Sequence, residues 1–122
     1  MQRFIIEMGM GNDLPLSSSE AVEHKKSGDY QKAAARAIED AIRHSSFPML
    51  ASLNIDPAQM QVRVTVAVQQ PDQIDTEALK AGLPRGTVTV TATHGGLDIT
   101  NPDTGEVTVI AQAAVEAFLP AQ

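Results

Sequence analysis

The chain has 122 residues, a formal net charge of −6 and no cysteine. This length fits one domain, residues 1–122, and the missing cysteines exclude a disulfide framework, a thiolate nucleophile and a cysteine-based metal site. An acidic chain without a basic cluster does not suit a nucleic-acid or anionic-membrane partner. No apolar run approaches the roughly 18 residues that would span a bilayer. We therefore expect a soluble cytoplasmic protein.

A strand is predicted first, because the residues from Arg3 to Met8 alternate with the period of a strand. Gly9 and Gly11 follow it and indicate a tight turn out of the strand. Residues 14–27 are rich in Ser, Glu and Lys, and Ser17–Glu20 has the spacing of a helix capping box. These residues are interpreted as a polar loop-plus-helix excursion from the domain.

The clearest helix signal begins after Asp29, a suitable N-terminal cap, and fades before Pro48. Its apolar residues recur at helical spacing and are mostly alanine, which lets a helix backbone lie close to a sheet. These residues are Tyr30, Ala33, Ala34, Ala37, Ile38, Ala41 and Ile42.

Three further strands are predicted from alternating residues: Val62–Val68, Thr87–Thr93 and a last strand from Val107. A brief helix capped by Asp75 lies between the first two of these strands. Residues 113–119 fit either a strand or a helix. Together the elements predict an α+β domain, a two-layer sandwich with a mixed sheet of about four strands. One long Ala-rich helix is expected to pack on one face, with short helices at the edges.

The second face of this sheet is predicted to be polar but mostly uncharged, because every other residue from Thr87 to Thr93 is threonine. Such a face can pair with another subunit without burying unpaired charge, which suggests a homo-oligomer. Threonine is also a good strand former, so a solvated face explains the same pattern. Glu7 and Arg63 are predicted to share this face, as an interface pair or an exposed one.

Most catalytic motifs are absent or incomplete. Gly9-x-Gly11 lacks the third glycine of a dinucleotide-binding turn, because Leu14 stands in its place, and no cofactor is predicted. The Asp103-Thr104-Gly105 triplet of aspartic proteases occurs here in a turn, which argues against a protease. The three histidines, His24, His44 and His94, have no metal-ligand spacing, so no metal site is predicted.

Glycines and charged residues at the predicted strand and helix ends make the candidate site, since ligands usually enter there. Asp13, Asp29 and His94 are the candidate catalytic groups, with an acid as base and Lys32 or Arg36 holding an anion. Lys32, Arg36 and Asp40 share one flank of the helix and could equally be a solvated ladder of ion pairs. The candidate ligand-binding residues are Gly9, Gly11, Asp13, Lys32, Arg36, Asp40, Gly95 and Gly96.

Four segments resemble a small bacterial family of conserved hypothetical proteins, of unknown function, that is catalogued under a Lin locus tag. They are Arg3–Gly11 with Asp13, Gly28–Ala37 with Asp40–Ile42, Pro71–Asp75 with Leu83–Gly86, and Gly95–Leu97 with Ala113–Glu116. In the family pattern a histidine precedes the glycine that matches Gly28, and a threonine precedes the lysine that matches Lys32. This chain has Ser27 and Gln31 there, and residues 14–26 look like an insertion. The resemblance implies that Gly9, Gly11, Asp13, Asp29, Lys32, Arg36 and Asp40 belong to one shared feature, and it implies no reaction.

Two functions follow as hypotheses. The first is a small oligomeric protein that binds a small polar or anionic metabolite, with or without catalysis at a subunit interface. The second is a non-catalytic accessory or scaffold subunit of a larger enzyme. Charged side chains that converge on one cavity would favour the first hypothesis, and dispersed ones would favour the second.

Overall fold

The computed structural model describes residues 2–15, 27–43, 59–83 and 87–119. The predicted polar helix after Ser17 and the predicted helix end before Pro48 lie outside these residues. The described helices and strands are β1 (Gln2–Asp13), α1 (Tyr30–Arg43), β2 (Gln61–Val68), α2 (Thr76–Lys80), β3 (Thr87–His94), β4 (Leu97–Thr100) and β5 (Val107–Leu119), with a short 3₁₀ turn at Pro71–Gln73.

The strands form one mixed sheet in the order β1-β5-β2-β3. β5 is its centre, because it pairs antiparallel with β1 along one side and with β2 and β4 along the other. β2 and β3 are parallel. The long central strand β5 thus pairs directly with three of the other four strands.

Alternation along the strands separates a covered face from an open face. The covered face carries the odd-numbered residues of β5, which are buried from Val109 to Leu119, and the even-numbered residues of β2. α1 packs on this face and buries its alanines there. The core residues are Tyr30, Ala33, Ala34, Ala37, Ile38, Ala41, Met60, Val62, Val64, Val66, Val68, Leu79, Val90, Val109, Ala111, Ala113, Val115, Ala117 and Leu119.

The predicted fold class was wrong in its proportions. The sheet has five strands rather than about four, and strands hold 50% of the described residues against 27% in helices. α1 has 14 residues and is the one helix of seven or more residues in the described part of the chain, so the expected long helix across the face is not present. The architecture is better described as a five-stranded mixed sheet with little helix.

The missed strand, β4, has four residues, too few for a readable alternation. It forms a hairpin with β5 through the predicted turn, which closes with a hydrogen bond of 2.7 Å from the Asn101 amide to the Glu106 carbonyl. Gly105 adopts a positive φ of 76° there, which glycine accepts without steric cost. Residues 113–119 are strand, because β5 stays paired with β1 to its end.

Several local predictions are confirmed. The Asp29 carboxylate accepts hydrogen bonds from the amides of Gln31 (2.8 Å) and Lys32 (3.3 Å), which makes it the N-terminal cap of α1. Asp75 caps α2 by accepting from the Ala78 amide at 3.1 Å. Side chains therefore satisfy amides that each helix start leaves without an internal partner.

Candidate functional site

Gly9 and Gly11 lie inside β1, so the predicted turn there was wrong. Both face α1, and they allow an unusually close approach between the strand and the helix. A Cβ atom on Gly11 would lie 2.3 Å from the Ala37 nitrogen and 2.4 Å from the Ala33 oxygen. The corresponding atom on Gly9 would lie 2.4 Å from the Ala37 oxygen. The helix backbone fills the space beside both glycines and leaves no room there for a ligand.

Asp13 ends β1 and ties it to the start of α1. One carboxylate oxygen accepts a hydrogen bond from the Asp29 amide at 2.7 Å, and the other accepts from Arg36 Nη1 at 2.8 Å. Gly28 packs so closely on this junction that a Cβ atom would lie 2.1 Å from the Asp13 carbonyl oxygen. The structure thus brings together Asp13, Asp29 and Arg36, and their bonds to one another make a structural junction.

The charged flank of α1 lies along the free edge of β1. Arg36 Nη1 donates to the Asn12 carbonyl at 2.7 Å, and the Asp40 carboxylate accepts from the Met10 amide at 3.0 Å. These side chains satisfy backbone groups of an edge strand that would otherwise be open to pairing. Lys32 is exposed and stands apart from these bonds.

A shallow cleft of about 480 Å³ lies beside this edge. Its charged side chains are already engaged, since Arg36 binds Asp13 and Arg43 lies 3.1 Å from Glu39. A ligand there would have to displace or share those bonds. The lining residues are Met10, Gly11, Asn12, Arg36, Glu39, Asp40, Arg43 and Ile110.

His94 does not join the acidic candidates. It is the exposed last residue of β3, at the opposite edge of the sheet from β1. Gly95 and Gly96 lead from there to β4 and lie against the chain itself: a Cβ atom on Gly96 would be 2.2 Å from the Ile110 oxygen. Gln69 Nε2 donates to both glycine carbonyls at 3.0 Å. These glycines therefore allow close packing against their own sheet rather than the approach of a ligand.

Tyr30, which was predicted only as an apolar residue of the helix, is buried and donates its hydroxyl proton to the Asp98 carboxylate. Burial, and then the hydrogen bond and charge of Asp98, raise the pKa of Tyr30 from 10.0 to about 12. Because Tyr30 belongs to α1 and Asp98 to β4, this contact fastens the short strand to the helix.

Tyr30 is the one tyrosine of the chain, so a spectrophotometric titration reports it alone. We expect phenolate absorbance to appear near pH 12 in the folded protein and near pH 10 after unfolding. The pKa of Tyr30 is raised in the folded state, so the protonated hydroxyl stabilises the fold. This stabilisation is complete below about pH 10 and is lost as the pH rises to about 12. Asp98→Asn should move the folded titration downward; an unchanged midpoint in that variant would contradict the assigned contact.

The open face of the sheet holds most of the exposed large apolar side chains. Five of the six in the described residues lie opposite even-numbered residues of β5 and therefore share that face. Met8 is 67% exposed and Met10 is 60% exposed. The five residues are Ile6, Met8 and Met10 on β1 and Leu97 and Ile99 on β4. The threonines of β3 continue this face on the other side of β2.

One end of the open face is charged. Arg3 Nη1 lies 3.4 Å from Glu116 Oε2, and the Arg63 guanidinium carbon lies 4.6 Å from the centre of the Phe118 ring. The predicted Glu7–Arg63 pair was wrong, because the register places Glu7 opposite the buried Val115 and Arg63 opposite Glu116. A register shift between Arg3 and Ile5 changes the phase of β1 and explains the error.

No group of three or more metal-ligating side chains occurs within residues 2–15, 27–43, 59–83 and 87–119. In the same part of the chain, no helix is long and apolar enough to cross a membrane.

Comparison with known proteins identifies relatives whose function is unknown. No curated protein matches the chain. A crystal structure of an FtsZ-like protein of unknown function from Nostoc punctiforme PCC 73102 is similar, with a TM-score of 0.72 and 32% identity over 97% of this chain and 95% of that chain. The model of a conserved hypothetical protein family, Lin0512, matches residues 3–117. Since the match covers nearly the whole chain, this protein belongs to the Lin0512 family.

Proposed function

We propose that the protein works as a homo-oligomer whose subunits join through the open face of the sheet, and that this assembly binds a small polar or anionic metabolite. The observation that carries the proposal is the placement of the exposed apolar side chains on this one face. Exposed apolar residues gathered in one patch mark interaction surfaces, whereas scattered ones carry no such meaning.

The size of the face suits a stable contact. β5 has 13 residues and has strands on both sides. With roughly 3.3 Å per residue and about 4.8 Å between strands, the face measures on the order of 700 Å². Stable interfaces bury about 600–1,000 Å² on each partner. A second copy packed sheet against sheet would therefore cover enough area.

Charge favours a second copy of the same chain as the occupant. Two copies of a molecule with a net charge of −6 repel each other, so they need a contact region without acidic residues. On the described strands of the open face, Glu116 is the sole acid, and Arg3 pairs with it. The absence of cysteine supports a reducing compartment such as the cytoplasm.

The test compares two variants that add the same charge at different places. Met8→Glu puts a carboxylate among the exposed apolar side chains of the open face, and Ala35→Glu puts one on the exposed side of α1. Light scattering after gel filtration should give a multiple of the subunit mass for the wild type and for Ala35→Glu. Met8→Glu should give the monomer mass, because an unpaired carboxylate would be buried.

A wild type that remains monomeric at high concentration would overturn the proposal. A Met8→Glu variant that keeps the wild-type mass would also overturn it, since the contact would then lie elsewhere. The accessory-subunit hypothesis differs in one result: the isolated chain would be monomeric and would assemble only when a different, larger protein is added.

A further inference from the structure

The geometry points to an anion-binding site at the charged end of the open face, centred on Arg63 and closed by the neighbouring subunit. The ligand class is a small metabolite with a carboxylate or phosphate group on a polar body. This inference rests on the proposed association through the open face.

Arg63 is placed as a ligand-binding arginine would be. It belongs to β2, an interior strand, and its side chain is exposed on the open face. Its guanidinium carbon lies over the Phe118 ring, 4.6 Å from the ring centre, and within the described residues the guanidinium makes no ion pair that would occupy its N–H groups. A guanidinium held in this way presents paired donors that match the two oxygens of a carboxylate or phosphate.

The local charge is positive in an otherwise acidic protein. Arg3 and Arg63 lie near one carboxylate, that of Glu116, and the ion pair of Glu116 is made with Arg3. Along the described strands of the open face these three are the charged residues, which leaves a net charge of +1. The chain as a whole carries −6.

Packing open face against open face does not neutralise the charge of these described strands. Each copy brings two arginines and one glutamate on its open face, so the ratio is the same in a dimer, a trimer or any larger assembly. Burying an uncompensated guanidinium is costly unless it gains a counter-charge. An anionic ligand supplies that counter-charge, and it would in turn stabilise the assembly by mass action.

The surroundings of Arg63 suit the polar body of such a ligand. Thr89 lies beside Arg63 in the parallel pairing of β2 and β3, and Thr65 pairs with Thr91 one step along the same face. Their hydroxyl groups both donate and accept hydrogen bonds and carry no charge. They can therefore bind hydroxyl or amide groups without repelling the anion.

Isothermal titration calorimetry of the full chain, at a concentration where it is assembled, tests this site. The probes are inorganic phosphate and malonate, which separate phosphate from carboxylate recognition. We expect wild type to bind at least one probe and Arg63→Gln to bind it about tenfold more weakly or worse, since a bidentate charged contact is lost. Arg63→Lys, which keeps the charge without the paired donors, should bind with intermediate affinity.

Lys80→Gln removes the same charge from α2, away from the open face, and should bind like wild type. Light scattering on every sample separates the two proposals. Two results would overturn the anion site and leave the oligomer standing. In the first, the assembled wild type binds neither probe. In the second, Arg63→Gln binds a probe as tightly as the wild type does. A monomeric wild type would overturn the oligomer itself.

Discussion

Replacing Gly11 with alanine is expected to lower the free energy of unfolding by about 3 kcal/mol, at the upper end of the usual cost of overpacking. The added Cβ atom would lie 2.3 Å from the Ala37 nitrogen, so β1 and α1 would have to separate. Backbone atoms cannot rotate aside as a flexible side chain can. The higher strand propensity of alanine would recover at most about 1 kcal/mol.

Urea denaturation checks this value against Gly82→Ala, where the nearest atom would be 3.8 Å from the new Cβ. The control should stay within about 0.5 kcal/mol of wild type, as surface substitutions do. If the two alanine variants were equally stable, the close packing of β1 on α1 would be refuted.

Replacing Asp13 with alanine should cost about 2 kcal/mol, because its carboxylate accepts hydrogen bonds from the Asp29 amide and from Arg36. Its side chain is 14% exposed, so water replaces these bonds poorly. Glu39→Ala removes the acid of the exposed Arg43 pair and should cost less than about 1 kcal/mol.

A double-mutant cycle with Arg36→Met separates the ion pair from the helix-start contact. Because the two side chains share a hydrogen bond, the losses in unfolding free energy should not be additive. Additive losses, or an Asp13→Ala loss no greater than that of Glu39→Ala, would show that Asp13 does not hold the junction together.

The sequence predicted α1, its cap and the alternation of β2 and β3, because each depends on local spacing. It predicted the first part of β1 but ended the strand at Gly9, because glycine has no side chain and its pattern reads as a break. A usable signal was present, however. Gly9 and Gly11 are two strand residues apart, about 6.6 Å, which nearly equals the 6 Å between helix residues four apart such as Ala37 and Ala41. A strand of spaced glycines beside a helix of spaced alanines indicates close packing.

The candidate site was harder to predict, because charged residues near glycines resemble a ligand site whether their partners are ligands or backbone. Asp29, Arg36 and Asp40 bind amides and carbonyls of their own chain, and their sequence spacing does not reveal this. The apolar row of the open face was missed for a different reason. To recognise this row, one must know which residues of β1 face the open side. The register shift near Arg3 reverses that assignment and is not visible in the sequence.

The rate of methionine oxidation at different protein concentrations tests the covered open face most directly. Met8 and Met10 are exposed in the single chain, whereas Met60 is 2% exposed and serves as an internal reference. We expect Met8 and Met10 to oxidise slowly in concentrated protein and faster on dilution, with Met60 protected throughout. Rapid oxidation of Met8 and Met10 at every concentration would contradict association through the open face.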